Sequence, residues 1–269
     1  MACYVPDAND EAIRDLCRAR TDAVDDTRRA KSQLKALLLR NGYRYKNKAN
    51  WSEAHRRYLR EVVMAHPAQK QTLEEYLMAV TAAEERTARC EEAMRTLLAE
   101  WRRRPAVEAL MGCRGFALIA SMIVVSELGD CTRFAHPRQM MAYVGLVPKE
   151  NSSGPSKKKG SITKAGNGHL RWILVESAQH AKLPPKVSQE LSRRQEGLSQ
   201  KVKDLSWKMQ TRLYARHRKL AGRMLMSGKI QVALAREQCG FIWALLRELA
   251  PLPEAAPGVP GEKMEPAAE

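Results

Sequence analysis

Residues 145–171, GLVPKENSSGPSKKKGSITKAGNGHLR, bring together three ingredients that suit phosphate. The segment holds six basic side chains (Lys149, Lys157, Lys158, Lys159, Lys164 and Arg171) against one acid, Glu150. Gly154, Gly160, Gly166 and Gly168 let the backbone turn sharply and bring bare amides close to a ligand. Ser152 and Ser153 sit at the crown. A serine hydroxyl there can attack a phosphodiester while lysines neutralise the developing charge. It is a weak nucleophile without activation, and the nearest histidine in sequence is His169. On spacing alone, polar turn residues outweigh a catalytic serine.

Other chemistries lack their residues. GPSKKKGS has the wrong order for a P-loop and follows no strand pattern, and neither HExxH nor HxH occurs. Asp204 and Glu190 are isolated carboxylates among cations, so residues 131–229 cannot assemble a two-metal nuclease site. Six scattered cysteines show no CxxC and read as reduced thiols rather than as zinc ligands or disulfides. No metal or cofactor site is expected within this chain.

Charge says more. The net charge is +16, and it is concentrated. Residues 131–229 carry 21 basic and 5 acidic groups, whereas residues 1–130 carry 22 and 19. Such a block is the electrostatic footprint of a nucleic-acid binder, because releasing counterions from phosphates drives that association. The longest apolar run, 116–126, is too short to span a bilayer. The acidic opening MACYVPDANDEA is not a secretory signal, which points to the cytoplasm, with nucleoid association if DNA is the partner.

The elements that must position these residues are helical. An apolar stripe through Ile13, Leu16, Ala19, Ala23, Val24, Thr27, Ala30, Leu34, Leu37 and Leu38 predicts a helix from a cap at Asn9 or Asp10 to Arg40, ended by Asn41-Gly42. A connector, YRYKNKANW, leads to a short helix capped by Ser52. A third helix is expected from about Pro67 to Arg102, with Leu73, Leu77 (or Tyr76), Val80, Glu84, Thr87, Cys90, Met94, Leu97 and Trp101 near heptad spacing. Residues 1–104 therefore read as a long antiparallel coiled-coil hairpin, a scaffold able to form a homodimer or tetramer.

Pro105 opens a second region, 105–249. The turn Gly112–Gly115, carrying Arg114, has the form of a helix-hairpin-helix element, where backbone amides can hold a phosphate; a purely packing hairpin fits equally well. Pro137 suits a helix start, and Thr163 or Asn167 caps the helix after the serine loop. Residues 186–222 predict a basic amphipathic helix broken at Gly197, with Leu205, Met209, Leu213 and Leu220 inward and Lys208 and Arg212 among the outward cations. A final apolar helix covers 229–249, and 250–269 reads as a disordered tail. The fold class is all-α.

Three stretches carry a resemblance: RGFALIASMIVVSELGD, RFAHPRQMMAYVGLVPKENSSG and GSITKAGNGHLRWILVESA. They resemble the C-terminal domain of the DEDD transposases of bacterial insertion sequences, a family related to the Piv/MooV invertases and containing bridge-RNA-guided recombinases. The opening, VPDANDEAIRDLCRARTDAVDDTRRAKSQLKALLLRNG, resembles that family's coiled-coil segment. The match is collinear over about 1–249.

The resemblance implies DNA transposition through a serine that forms a phosphoserine link. Its position before the loop glycine maps it onto Ser153, with Ser152 as the fallback. DNA and a structured guide RNA are the implied partners, with Lys149, Lys157, Lys158, Lys159, Lys164, Asn167, Arg171, Arg114, Gly115, Lys208 and Arg212 as nucleic-acid contacts. The family's four metal-binding acids belong to an N-terminal RuvC-like domain. Mg²⁺ is expected only with that domain, whose last acids fall upstream of Val5-Pro6-Asp7. The chain then reads as a truncated transposase that binds nucleic acid without cutting it alone. A non-catalytic regulator acting through the coiled coil is the alternative. One departure is Gly115-Phe116-Ala117, where the family has GxG at the hairpin turn.

Overall fold

The computed structural model describes residues 5–47, 50–150 and 159–249. The chain divides into two compact units, Met1–Ala99 and Glu100–Glu269.

The first unit is built on α1 (Ala8–Arg40), α2 (Glu53–Glu61) and α3 (Pro67–Leu98). The Asp7 carboxylate accepts the Asp10 amide at 2.8 Å, so the cap lies two or three residues before the expected one. The left-handed Gly42 (φ 81°) follows the end of α1. Ser52 caps α2 as its residue type predicts, and His66 and Gln69 form a capping box ahead of α3. Cross-helix partners descend along α3 as they ascend along α1: Arg20 meets Glu91, Asp26 meets Arg86, Lys31 meets Glu84 and Asn41 meets Gln69. The two helices therefore run antiparallel. Ile13, Cys17, Ala23, Ala30, Leu34, Leu37 and Leu38 bury one stripe of α1. Cys17 takes the buried place that the periodicity gave to Leu16, which is half-buried. Midway the seam turns polar, with the Thr27 and Thr87 hydroxyls 3.3 Å apart.

The second unit contains α4 (Arg104–Met111), α5 (Leu118–Leu128), α6 (Pro137–Tyr143), strands β1 (Pro148–Glu150) and β2 (Lys159–Ile162), α7 (Gly168–Ser177), α8 (Gln189–Arg194), α9 (Gln200–Ala221) and α10 (Ser227–Glu248). A 3-10 turn, Ala178–Lys182, continues α7. Helix α5 is apolar apart from Ser121, Ser126 and Glu127 and is buried from Ser121 to Leu128, as a core helix must be. Helix α10 packs against α4, α6, α7 and α9. Gly197 (φ 77°) breaks the basic region between α8 and α9. Leu205 is half-buried rather than inward, and the buried face of α9 is Val202, Ser206, Met209, Gln210, Leu213 and Leu220. Among the described residues the architecture is predominantly helical, and no helix is long and apolar enough to cross a membrane.

One element departs from an all-helical reading. The two legs of the serine loop pair as an antiparallel ribbon, Pro148 opposite Ile162 and Glu150 opposite Lys159, with a register shift between. The lysine and glycine content of the loop masks any alternation of apolar and polar residues, so nothing local announces a strand.

Candidate nucleic-acid interface

The ribbon stands on a close-packed base. Thr163 donates its amide to Val147 (2.8 Å), Lys164 to Gly145 (3.2 Å) and Asn167 to Tyr143 (3.1 Å), so GLVP and ITKAGN zip together. Gly145 and Gly166 are both left-handed (φ 72° and 85°). A Cβ on Gly145 would collide with the Ala165 carbonyl, and one on Gly166 with the Tyr143 carbonyl. Both positions therefore require glycine for backbone approach as well as for conformation.

Under this base lies Glu127, 1% exposed. Its carboxylate accepts from Asn167 Nδ2 at 2.6 Å and pairs with His169 Nδ1 at 3.1 Å. The Tyr143 hydroxyl donates to the Glu127 carbonyl at 3.2 Å. A lone acid in the apolar run before Gly129 carried the only sequence signal for this keystone, and composition alone does not separate it from a helix-end acid. Asn167 is the cap of α7, its Oδ1 accepting the Leu170 amide at 2.8 Å. The alternative cap, Thr163, lies in the zipped base instead.

The expected contact residues fall into three groups. Lys149 and Lys164 are exposed beside the ribbon, and Lys164 holds a left-handed φ of 55°. Asn167 and Arg171 are committed to the scaffold, Arg171 Nη1 donating to the Val144 carbonyl at 2.8 Å. Ser152, Ser153, Lys157 and Lys158, together with the Lys159 side chain, lie outside the described residues. On α9, Lys208 is exposed, while Arg212 is paired with Glu237 at 2.5 Å. Hydrogen bonding to Glu237 holds that guanidinium above its ordinary pKa.

A second basic surface lies at the turn between α4 and α5. A cleft of about 280 Å³ is lined by Arg114, Ala117, His180, Lys186, Ser188 and Arg194, among others. No side chain caps α5, so its first-turn amides face no side-chain acceptor of their own. Gly115 (φ 95°) has another duty. A Cβ there would sit 2.8 Å from the Ser177 carbonyl, so its glycine admits the neighbouring chain. Arg114 donates to the Pro184 carbonyl at 2.5 Å and Arg194 to the Phe116 carbonyl at 2.9 Å, which fixes the walls of the cleft.

Among the described residues no group of three or more His, Cys, Asp or Glu side chains could hold a metal ion. The buried thiols are equally inert, with burial pushing Cys113 and Cys239 up to about 12 and Cys131 to about 11.

Residues 107–191, which include Glu127, both legs of the ribbon and the lining of the cationic cleft except Arg194, match the model of the Transposase IS116/IS110/IS902 family. This segment is similar to the transposase domain of that family. The chain is 40% identical over 247 residues to "Putative transposase y4qE" of Sinorhizobium fredii, covering 92% of this chain and 60% of that relative. It is 33% identical over 73 residues to "Probable family 20 transposase" of Pseudomonas aeruginosa, 27% of this chain and 22% of that protein. It is 35% identical over 65 residues to the transposase for insertion sequence element IS1111A of Coxiella burnetii, 24% of this chain and 18% of that protein. The chain thus spans 60% of the length of its Sinorhizobium relative. The matched segment contains the Glu127 cluster and Arg114, whereas Lys208 and Arg212 lie C-terminal to it.

Proposed function

We propose that this chain supplies the strand-transfer serine of a DNA transposase, with Ser153 as the nucleophile and Ser152 as the fallback. The observation that carries this reading is the rigid foot of the ribbon. Glu127, Asn167 and the glycine-packed zipper fix both legs between which Ser152 and Ser153 fall in sequence. A preorganised support of this kind suits a nucleophile that must meet phosphorus in line. In the step proposed, the Ser153 Oγ–P bond forms as its O–H bond breaks, one P–O ester bond of the DNA backbone breaks, and the departing sugar oxygen takes up one proton in exchange for the one the serine gives up to solvent. Lys149 and Lys164 supply positive field to the phosphate oxygens.

The basic excess of residues 131–229 supports DNA binding and also suits a structured guide RNA. The cleft at Arg114, Lys186 and Arg194 fits a backbone phosphate. The α1/α3 pair is proposed as a coiled-coil dimerisation element. The described residues offer no ligand cluster for Mg²⁺, so no metal-dependent step is assigned to them.

Strand exchange on a plasmid carrying the cognate element ends, with the RuvC-like part supplied in trans, tests the serine. Ser153→Ala is expected to abolish product and the covalent protein–DNA adduct while retaining gel-shift affinity. Unchanged recombination would reduce the chain to a nucleic-acid binder. The isolated chain should retard supercoiled DNA without nicking it in Mg²⁺ and RNA; robust cleavage contradicts that.

A further inference from the structure

The first unit, whose total charge is nearly balanced, carries a concentrated basic surface of its own. Residues 31–60 hold nine basic groups (Lys31, Lys35, Arg40, Arg44, Lys46, Lys48, Arg56, Arg57 and Arg60) against one acid, Glu53. Lys31 and Arg56 share Glu84 of α3, at 2.6 and 3.0 Å, and Arg60 pairs with Glu53. Lys35, Arg40, Arg44, Lys46 and Arg57 form no ion pair among the described residues.

Aromatic rings alternate with these cations in sequence and converge in space. Tyr45 lies 4.7 Å from His55 and 5.2 Å from Tyr58, centroid to centroid. The rings of Tyr43, Tyr45, Tyr58 and His55, with Lys35 and Arg44, line a cleft of about 590 Å³. That volume falls within the roughly 300–1,000 Å³ of ordinary ligand sites. Leu34, Leu37, Leu38, Leu59 and Leu73 form the apolar core on which Tyr43 and Tyr58 pack, so the cleft has a rigid apolar floor. The residue that holds His55 in place beside the cleft is itself kept at a conformational cost. Trp51 adopts a left-handed φ of 66°, fixed by its amide donating to His55 Nδ1 at 3.0 Å and by Lys31 4.8 Å from its ring centroid.

We infer that this cleft binds an unpaired stretch of nucleic acid, bases stacking on its tyrosines while Lys35, Arg44 and Lys46 meet the phosphates. Recessed rings reach a base only when it has left its duplex partner, and rings interleaved with cations supply both the stacking faces and the positive charge that one strand requires. RNA and DNA share this chemistry, so the test carries both.

The full chain is titrated with an oligouridylate and an oligothymidylate of about 15 nucleotides, each against a duplex of equal length, and the contacts are mapped by ultraviolet cross-linking and peptide analysis. Cross-links within residues 43–58 with single strands are expected. Arg44→Gln/Lys46→Gln combined with Tyr45→Leu should weaken single-strand binding about tenfold. It should also lower the slope of log affinity against log salt by roughly 1.4. Cross-links confined to residues 100–249 overturn the inference. So does equal cross-linking of the duplex in the cleft, or a variant of unchanged circular dichroism that binds within about twofold of the parent. The cross-linking is done on the parent chain, so the outcome does not depend on the variant folding. Preference between the two single strands identifies the source of the ligand.

Discussion

The two units hold basic surfaces on opposite kinds of foundation. At the ribbon, a buried carboxylate and a zipper of backbone bonds fix the chain, and the cations stand outside as separate groups. At the tip of the first unit, the foundation is a cluster of rings, and a half-buried carboxylate, Glu84, consumes part of the charge. Burial pushes the Glu84 pKa up, yet the hydrogen bonds from Arg56 and Lys31 outweigh that and hold it below its ordinary value. The lesson is that a polar anchor gives geometry, which bond-making needs, whereas rings give adaptable contact area, which strand binding needs.

The largest effect expected from breaking this contrast is at Glu127. Glu127→Leu leaves the Asn167 amide and His169 without their buried acceptor and should cost about 3 kcal/mol or more. Hydrogen exchange should show α7 opening while α1 is unchanged; equal protection in α7 would mean that the carboxylate carries little. Next comes a matched pair of glycines. Gly166→Ala must place Cβ against the Tyr143 carbonyl and should cost roughly 2–3 kcal/mol, whereas Gly42→Ala, at nearly the same φ with nothing within 4 Å, should cost only about 1 kcal/mol. Denaturant midpoints of the two variants measure the difference.

Acid titration has a smaller consequence. His55 is held below its ordinary pKa by burial, then by Lys35 and Arg56, and His217 by burial, then by Lys182 and Arg218. As pH falls below about 6.5 the unfolded chain takes up these protons before the folded one, so stability declines until pH passes below the folded values. His55→Asn should flatten this decline for the first unit alone, as read by thermal melts between neutral and mildly acid pH. Smallest is a rate: with Cys113, Cys131 and Cys239 buried and their pKa values raised, half-buried Cys90 should label ahead of them at mildly alkaline pH.

Much of the helical framework is legible because its signals are local. Ser52, Pro67, Pro137 and Asn167 announce helix starts by residue type, and Gly42 and Gly197 announce breaks. What escapes the sequence is closure over distance. Glu127 finds Asn167 40 residues away, and no local pattern encodes that meeting. The strands form because Gly145 and Gly166 let their flanks touch, although neither leg has strand periodicity. The tip of the first unit is hidden by averaging: nine cations in thirty residues vanish inside a segment whose acids lie elsewhere. The resemblance supplied what spacing could not, a reason to single out Ser153 from ordinary turn serines.

Glu127 touches the leg that enters the ribbon through its main-chain carbonyl, which accepts from Tyr143, and holds the leg that leaves it through its carboxylate, which accepts from Asn167. Lesions at this core position and in the two distant glycine motifs should therefore behave as a single genetic group. A suppressor of one should rescue the others, although none of these residues belongs to the crown in sequence.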